Sequence, residues 1–524
     1  MRDFQLTGRS AVFATNGMCA TSHPLGALTA IDVLRRGGNA IDAAIAGAVV
    51  LGMCEPHMTG IGGDCFVLYA RPGEPVRALN GSGRAPAGAS AATLRDRGLD
   101  VIPPYSAHAV TIPGAVDAFC HLSETVGKLG LDAVLAPAIR YAEEGVPIAP
   151  RVALDVIADT DILQGGARAR FTHAGRALSV GDLFRAPDQA EVLRRIARDG
   201  RDAFYTGEVA DDMLATLQAA DGVHTADDFA TTACTTATPI TGTYAGLDVV
   251  EHPPNGQGAA AILLLNMLKH FDLGAYDPLG AERAHIEAEA TKLAYDARNR
   301  MLGDPDQTAR LDHLLAPETA AALAALISPH QVIADPAPIT EAVHKDTVYI
   351  TVVDRDRMTV SLIYSLFHGF GSGLASDRFG ILLHNRGAGF TLQQGHPNEY
   401  GPGRRPMHTI IPGMLARDGE VFMPFGVMGG QYQSCGHARF VTNLTDFDMD
   451  LQTAIDAPRL YPEDGELRLE RGFAPKVRQR LADLGHTVVE PDEPIGGAQA
   501  IRIRADGVLE GGSDPRKDGC ALGY

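Results

Sequence analysis

The sequence lacks an excess of positive charge. Its 524 residues include 45 Lys and Arg against 64 Asp and Glu, which gives a formal net charge of −19 with histidine taken as neutral. A surface this acidic repels the phosphate groups of DNA and RNA. The charge balance therefore predicts that nucleic acid is not a partner.

Long hydrophobic runs are also missing. The most apolar stretch, residues 40–53, is interrupted by Asp42 and is too short to cross a bilayer as a helix. The first ten residues are mostly polar, and no apolar run of signal-peptide length follows before Thr15. We therefore expect no membrane span, no membrane partner and a cytoplasmic protein.

Cysteine is sparse and scattered. The seven cysteines are Cys19, Cys54, Cys65, Cys120, Cys234, Cys435 and Cys520. They are odd in number and none has Cys-x-x-Cys spacing, so they indicate neither a disulfide framework nor a zinc site. They are typical of a reducing compartment, and we expect no metal and no other cofactor.

The order of patterns along the chain indicates mixed helix and strand. The length allows three domains of about 150 residues or one large unit. Residues 37–39, Gly-Gly-Asn, are predicted to end one helix and cap a second helix of small residues. A further helix is predicted at 280–300. Two β-branched runs, 346–354 and 358–365, flank a charged turn and predict a β-hairpin.

Motifs taken one at a time favour structural roles. Gly371-x-Gly373 approaches a dinucleotide-binding fingerprint, but no helix is predicted after it. Residues 60–64, Gly-Ile-Gly-Gly-Asp, are more typical of a turn than of a phosphate site. His285 and Glu289 resemble half of a metal site, but the missing second histidine favours a salt-bridged or solvated helix face.

A set of short segments, taken together, points to one family. They are Gly37–Ala44, Glu55–Gly63, Arg84–Pro86, Ile112–Gly114, Leu135–Arg140, Gly303–Pro305, Thr347–Asp354, Gly429–Gly430 and Ser513–Arg516. The residues of these segments, their order and their spacing resemble those of the γ-glutamyltranspeptidases over nearly the whole chain. The γ-glutamyltranspeptidases are N-terminal-nucleophile hydrolases. The resemblance implies an α+β fold, a four-layer αββα sandwich with two stacked sheets between helical layers.

The resemblance also implies that the chain cuts itself. The cut would fall between Asp346 and Thr347 and give a large piece, 1–346, and a small piece, 347–524. Thr347 would then be the amino-terminal nucleophile of an amidase. Its new α-amino group, with a reference pKa of about 7.7 to 8, would act as the base for its own hydroxyl. The pieces would stay associated because neither covers its sheet alone, with a dimer of heterodimers as one option.

Further residues take catalytic roles in the same comparison. The backbone N–H groups of Gly429 and Gly430 would bind the oxyanion, since glycine leaves room for close approach. Ser365 matches the second hydroxyl residue of the family, which orients the nucleophile. These roles, like that of Thr347, follow from the resemblance.

The substrate-binding positions depart from the pattern of the family. Arg84 matches the arginine that holds the α-carboxylate of a γ-glutamyl group, and a guanidinium suits a carboxylate. The residues that would bind the α-amino group are replaced. Phe367 stands where the family has asparagine, Gly389 where it has aspartate, and His408-Thr409 where it has two serines.

These replacements predict a substrate without an α-amino group. Gly389 removes the carboxylate that would pair with a desolvated ammonium, and Arg386 adds a cation nearby. A small amide that carries a carboxylate fits instead, with Arg84, Arg386 or both holding the acid. Phe367 would fill the space of the longer glutamyl chain. His408 would donate to the carboxylate or to the leaving amine, or its ring would be satisfied by the backbone.

The same constellation is similar to the oxamate amidohydrolase branch of the family, whose members are cytoplasmic and act in purine catabolism. The implied reaction is oxamate plus water giving oxalate and ammonia through an ester on Thr347. Two other interpretations stay open. One is γ-glutamyl hydrolysis or transfer from glutathione-like substrates, and the other is an uncleaved binding homologue without activity.

Overall fold

The structure is a computed structural model and describes residue 5 and residues 8–333 and 347–524. Asp346, the residue before the expected cut, lies outside the described residues. None of the described helices combines the length and the apolar character that a bilayer crossing requires.

The strands that position the site run through the whole described chain. In chain order they are β1 (Val12–Ala14), β2 (Met18–Thr21), β3 (Asp64–Ala70), β4 (Arg77–Gly81), β5 (Val146–Pro147), β6 (Leu183–Phe184), β7 (Thr235–Ala237), β8 (Ile240–Tyr244), β9 (Leu247–Glu251), β10 (Val348–Val353), β11 (Thr359–Ser365), β12 (Gly413–Arg417), β13 (Glu420–Met428), β14 (Leu460–Glu463), β15 (Glu466–Leu469), β16 (Thr487–Val489), β17 (Gly497–Ile503), β18 (Leu509–Ser513) and β19 (Cys520–Gly523).

Most of the α-helices precede Thr347 in the sequence. They are α1 (Pro24–Arg35), α2 (Ala40–Cys54), α3 (Ala91–Asp96), α4 (Ala115–Thr125), α5 (Leu131–Glu144), α6 (Pro150–Asp159), α7 (Gly165–Phe171), α8 (Pro187–Asp199), α9 (Asp202–Tyr205), α10 (Gly207–Ala219), α11 (Ala226–Thr231), α12 (Gly258–Leu268), α13 (Ala281–Met301), α14 (Leu311–Leu315), α15 (Pro317–Ala324), α16 (Gln433–Thr445), α17 (Leu451–Asp456) and α18 (Pro475–Asp483).

Two antiparallel seven-stranded sheets form the centre of the described chain. One has the order β19-β2-β10-β11-β3-β4-β7 and the other β1-β18-β17-β13-β12-β9-β8. Each sheet contains strands from both sides of Thr347, because β10, β11 and β19 lie in the first and β12, β13, β17 and β18 in the second. The two parts of the sequence are therefore interleaved in both sheets.

Helices cover the outer face of each sheet. Val348, Ile350 and Val352 of β10 share a core with α1 and α2, and Phe425 and Val427 of β13 share another with α12 and α16. Between the sheets, Tyr349 of β10 packs with Met428 of β13. The predicted four-layer αββα sandwich is confirmed.

Several local predictions are also confirmed. The helix expected at 280–300 is α13, and the expected hairpin is β10 and β11. The Asn39 side chain caps α2 by accepting a hydrogen bond from Asp42 N, while Asp42 Oδ2 accepts from Asn39 N. This reciprocal cap explains the acidic residue in an otherwise apolar run, since it satisfies two amides at a fully buried helix start.

Candidate active site

Strand alternation places Thr347 between the two sheets. Successive side chains of a strand point to opposite faces. Val348 and Ile350 face α2, so Thr347 shares the inter-sheet face with Tyr349. Val348 pairs with Tyr364 across the hairpin, which sets Thr347 opposite Ser365. The Thr347 and Ser365 Oγ atoms are 3.5 Å apart, and both residues are fully buried.

The backbone after Ser365 turns sharply at Phe367. The Phe367 N–H donates to Ser365 Oγ at 2.8 Å, and Phe367 has φ of +83°, in the left-handed region that disfavours a side chain. Holding a non-glycine residue there costs about 1–3 kcal/mol, and such strain concentrates at functional sites. The Phe367 ring stacks on the ring of His368, with a centroid distance of 4.5 Å.

Arg386 lies over that ring. Its guanidinium carbon is 4.3 Å from the centroid of the Phe367 ring, and Nη1 donates to Thr409 Oγ1 at 3.1 Å. Arg386 is fully buried, and within the described residues its Nε and Nη2 have no hydrogen-bond partner. Burial lowers the pKa of Arg386 to about 9, against the opposing effect of Asp64. A buried cation with open donors is suited to binding an anion.

Asp64 is a buried carboxylate that sequence reasoning assigned to a structural turn. Its Oδ1 accepts from the N–H groups of Gly83 and Gly114 at 3.0 and 2.9 Å. Its Oδ2 is 3.2 Å from His408 Nε2. Burial favours a higher pKa for Asp64, but His384, His408 and Arg386 outweigh it and hold that pKa at about 2. The residue begins β3 beside Ser365, a position that a motif search does not reveal.

His408 is fully buried, and its ring faces a carboxylate. Its ring lies beside Asp64 and 4.9 Å from the Phe66 ring, whereas its backbone N–H donates to the Asn255 carbonyl at 2.7 Å. Burial and the nearby Arg386 lower the pKa of His408 to about 3. The imidazole is therefore neutral near pH 7.

Arg84 makes its contacts elsewhere. Its Nη1 donates to the Gly403 carbonyl at 2.9 Å and lies 3.7 Å from Asp304 Oδ2. The side chain is 37% exposed and lines a cavity of about 340 Å³ together with Arg405. Of the two predicted carboxylate binders, Arg386 is thus the one linked by contacts to Ser365 and Thr409.

Gly429 and Gly430 form a turn directly after β13. Their φ values of +124° and +56° lie in the left-handed region, and a Cβ on Gly429 would be 2.8 Å from Gly496 Cα. The Tyr432 N–H donates to the Gly429 carbonyl at 3.1 Å, and Gln257 Nε2 donates to the Gly430 carbonyl at 3.1 Å. The first bond fixes the peptide group that carries the Gly430 N–H, and the second fixes the peptide group that joins Gly430 to Gln431.

Gln257 joins this turn to the Arg386 side of the site. The same Nε2 donates to the Thr409 carbonyl at 2.6 Å, and Thr409 Oγ1 accepts from Arg386. Sequence reasoning missed Gln257, which lies immediately before α12. Its position between two glycines, Gly256 and Gly258, was the available signal of a closely approached backbone.

His285 and Glu289 lie on a buried face of α13, so this face is not solvated, but Glu289 forms an ion pair with Lys292 as the salt-bridged alternative predicts. His486 supplies the second histidine, with its Nε2 2.8 Å from His285 Nδ1. The other nitrogen of His285 donates to the Ser328 carbonyl, and Glu289 accepts from Lys292 and from the Ile333 N–H. Both ring nitrogens of His285 and both carboxylate oxygens of Glu289 thus have hydrogen-bond partners. The cluster is therefore a buried hydrogen-bond network.

Comparison with known proteins identifies the family. The family model described as gamma-glutamyltranspeptidase matches residues 26–524. The chain is 35% identical to the glutathione hydrolase-like YwrD proenzyme of Bacillus subtilis, over 98% of this chain and 99% of that one. It is 34% identical to the oxamate amidohydrolase proenzyme of Klebsiella pneumoniae, over 98% and 100%.

A solved structure agrees with this assignment. The crystal structure of cephalosporin acylase from Bacillus halodurans superposes with a TM-score of 0.93 and 38% identity, over 100% of this chain and 99% of that one. The chain therefore belongs to the γ-glutamyltranspeptidase family and is an enzyme of the N-terminal-nucleophile hydrolase type.

Proposed function

We propose that the chain is a self-processing amidohydrolase whose nucleophile is Thr347. Cleavage between Asp346 and Thr347 would divide it into a large piece, 1–346, and a small piece, 347–524. The burial of Thr347 beside Ser365 supports this role, as do relatives that are named proenzymes. The interleaving of both parts in each sheet supports continued association of the pieces.

The proposed acyl group carries a carboxylate and no α-ammonium. The buried Arg386 guanidinium lies over the ring of Phe367, and its Nε and Nη2 have no hydrogen-bond partner in the part of the chain that the structure describes. This observation carries the proposal. A substrate carboxylate would satisfy both donors in a charge-assisted pair. A substrate ammonium would lose its hydration beside a like charge. Asp64 is poorly placed to pair with such an ammonium, because its Oδ1 accepts hydrogen bonds from two backbone amides and its Oδ2 faces His408.

The chemistry proceeds through an ester. The α-amino group of Thr347 takes the proton of its own hydroxyl as the oxygen attacks the amide carbon. The amides of Gly429 and Gly430 stabilise the negative oxygen that forms. The C–N bond then breaks, the leaving amine takes the proton, and the acyl group remains on Thr347. Water attacks this ester, which releases the acid and restores the hydroxyl.

Oxamate is the smallest substrate of this class, with ammonia and oxalate as products. A relative named oxamate amidohydrolase supports it, and we propose that the reaction takes place in the cytoplasm, as in purine catabolism. Glutathione is the second candidate, because another relative is named glutathione hydrolase-like. The ammonium of a γ-glutamyl group would lie beside the like charge of Arg386, which favours the first class over the second.

Turnover of matched substrates tests the proposal. The processed enzyme is assayed with oxamate and with the mono-p-nitroanilides of succinate and glutarate, against γ-glutamyl-p-nitroanilide. Glutarate and γ-glutamate differ only in the α-amino group. We expect kcat/KM at least about tenfold higher without the amine. A preference for the γ-glutamyl anilide would reject the proposed substrate class and favour glutathione-like substrates.

A further inference from the structure

The Gly429–Gly430 turn is held by hydrogen bonds to its carbonyls. Gln257 Nε2 donates to the carbonyl of Gly430, and the Gln257 carbonyl accepts from Ser434 Oγ at 3.1 Å at the start of α16. Gln257 is fully buried, so neither bond is exchanged readily for water. Its side chain therefore holds the carbonyl of Gly430, and with it the peptide group that joins Gly430 to Gln431.

Arg298 on α13 holds Gln257 in turn. Its Nη1 donates to Gln257 Oε1 at 2.5 Å and to Gln431 Oε1 at 2.6 Å. The hydroxyl of Tyr295, one helical turn earlier, donates to the Gln431 carbonyl. A single guanidinium nitrogen thus connects α13 with Gln257, which holds the Gly430 carbonyl, and with Gln431, the residue after Gly430.

The charge of Arg298 has no acidic counterpart among the described residues. Its hydrogen-bond partners there are the amides of Gln257, Gln431 and Asn299, and its guanidinium lies 4.3 Å from the Tyr295 ring centroid. The residue is 1% exposed, and burial lowers the pKa of its guanidinium. Burying a guanidinium without a carboxylate is costly, so its presence calls for a reason other than stability.

By contrast, Arg283 on the same helix is buried as a conventional ion pair. Its Nε donates to Glu287 Oε1 at 2.7 Å, and its Nη2 donates to Thr442 and Asn443 on α16. The two arginines are matched in burial and differ in charge compensation. Arg283 therefore serves as an internal control for the effect of removing a buried arginine.

We propose that Gln257 and Arg298 are positioning residues for the Gly429–Gly430 turn, and that the charge of Arg298, which no acidic side chain among the described residues compensates, adds positive potential at this turn. The inference rests on the proposed function, because it assumes that Gly429 and Gly430 bind the oxyanion. A fixed dipole and a fixed charge aimed at a developing negative oxygen stabilise the transition state more than the substrate. The main effect therefore falls on kcat.

The test compares Arg298→Met and Arg298→Lys with Arg283→Met in the processed enzyme. The measurements are kcat and KM for succinyl-p-nitroanilide, the melting temperature, and the inhibition constants of 3-boronopropanoic acid and succinate. The boronate forms a tetrahedral adduct with the Thr347 hydroxyl and places a negative oxygen in the turn, whereas succinate binds as an acid product. Binding of the boronate needs no turnover.

We expect Arg298→Met to lower kcat about 100-fold, the size of losing one oxyanion donor, with KM changed less than threefold. It should weaken the boronate by a similar factor and succinate by less than threefold. Arg298→Lys, which keeps the charge, should have a kcat about tenfold higher than that of Arg298→Met. Arg283→Met should lower the melting temperature at least as much and leave kcat within threefold.

Equal loss of kcat in Arg298→Met and Arg283→Met, or equal weakening of boronate and succinate, would overturn the inference. A wild-type enzyme that hydrolyses neither oxamate nor any of the anilides but binds the boronate would contradict the proposed amidohydrolase activity alone. The difference in boronate affinity between the wild type and Arg298→Met would still test the positioning role.

Discussion

The Arg386 guanidinium lies 4.3 Å from the centroid of the Phe367 ring, and the Phe367 N–H donates to the same Ser365 Oγ that lies 3.5 Å from Thr347. One strained residue therefore joins the expected nucleophile to the expected carboxylate binder. The Arg386 cation lies over the flat face of this aromatic ring.

Arg386→Met should weaken binding of acid substrates selectively. Losing a buried charge-assisted contact costs about 1.5–3 kcal/mol, which corresponds to a KM increase of about 10- to 100-fold for succinyl-p-nitroanilide. The neutral butyryl-p-nitroanilide should change less than threefold. Arg84→Met should have a small effect on both substrates, because its guanidinium is engaged with Gly403 and Asp304. A larger effect from Arg84→Met than from Arg386→Met would show that Arg84, and not Arg386, binds the substrate carboxylate.

Ser365→Ala should slow both self-cleavage and turnover without abolishing either. The change removes one hydroxyl contact to Thr347 and the acceptor of the Phe367 amide, and a hydrogen bond of this kind contributes about 1 kcal/mol, or roughly fivefold to tenfold in rate. Timed intact-mass spectra of freshly purified protein give the cleavage rate. An unchanged rate of both reactions would remove Ser365 from the site.

Gly426→Ala should destabilise the packing of β10 in the first sheet against β13 in the second. An added Cβ would lie 2.6 Å from two atoms of the Tyr349 ring, which is itself fully buried. Overpacking of this kind costs about 1–3 kcal/mol of unfolding free energy. Gly8→Ala is the matched control, because a Cβ there meets no atom within 4 Å. Chemical denaturation of both variants measures the difference, and equal stability would show that the sheets separate at little cost.

Stability should rise with pH between about 4 and 6.5. Six histidines are buried with pKa values lowered by burial to about 3 or 4, namely His23, His224, His252, His368, His408 and His486. In this pH range they are neutral when folded and take up a proton on unfolding. The unfolded state therefore binds more protons, and each histidine contributes up to about 1.4 kcal/mol per pH unit.

Glu55 has the opposite sign, because burial raises its pKa to about 7 and the folded state keeps its proton. Burial also raises the pKa of four further carboxyls, Glu251, Asp354, Asp456 and Asp518, which act in the same direction as Glu55. The six histidines are joined by His108, His384 and His396, whose pKa values burial also lowers, so we expect the histidines to set the direction. Calorimetric melting temperatures at several pH values between 4 and 7 measure the slope. A melting temperature that stays level or falls with rising pH would contradict the neutral burial of these rings.

The contact between Thr347 and Ser365 could be predicted, because both follow from a hairpin whose β-branched runs are visible in the sequence. The contacts of Arg386 could not, since the turn at Phe367 requires a left-handed backbone that its residue type does not signal. Asp64 was assigned to a turn because its partners, the Gly83 and Gly114 amides and His408, come from distant segments.

For the same reason, the sequence does not reveal the hydrogen bonds of Gln257 and Arg298 at the Gly429–Gly430 turn. Arg298 is separated from Gln257 by 41 residues and from Gln431 by 133. Hydrophobic periodicity describes which face of a helix is buried, but it does not identify a polar partner on another element. On a helix that is mostly polar, the sequence pattern around a buried arginine is the same as that around an exposed arginine.

The most direct test is Edman sequencing, with intact mass, of the purified active enzyme and of Thr347→Ala. The account predicts two species in the wild type, one beginning at Thr347 and ending at Tyr524, and a single uncleaved, inactive species in the variant. Full activity from wild-type protein in which no chain begins at Thr347 would contradict the claim that cleavage creates the catalytic amine.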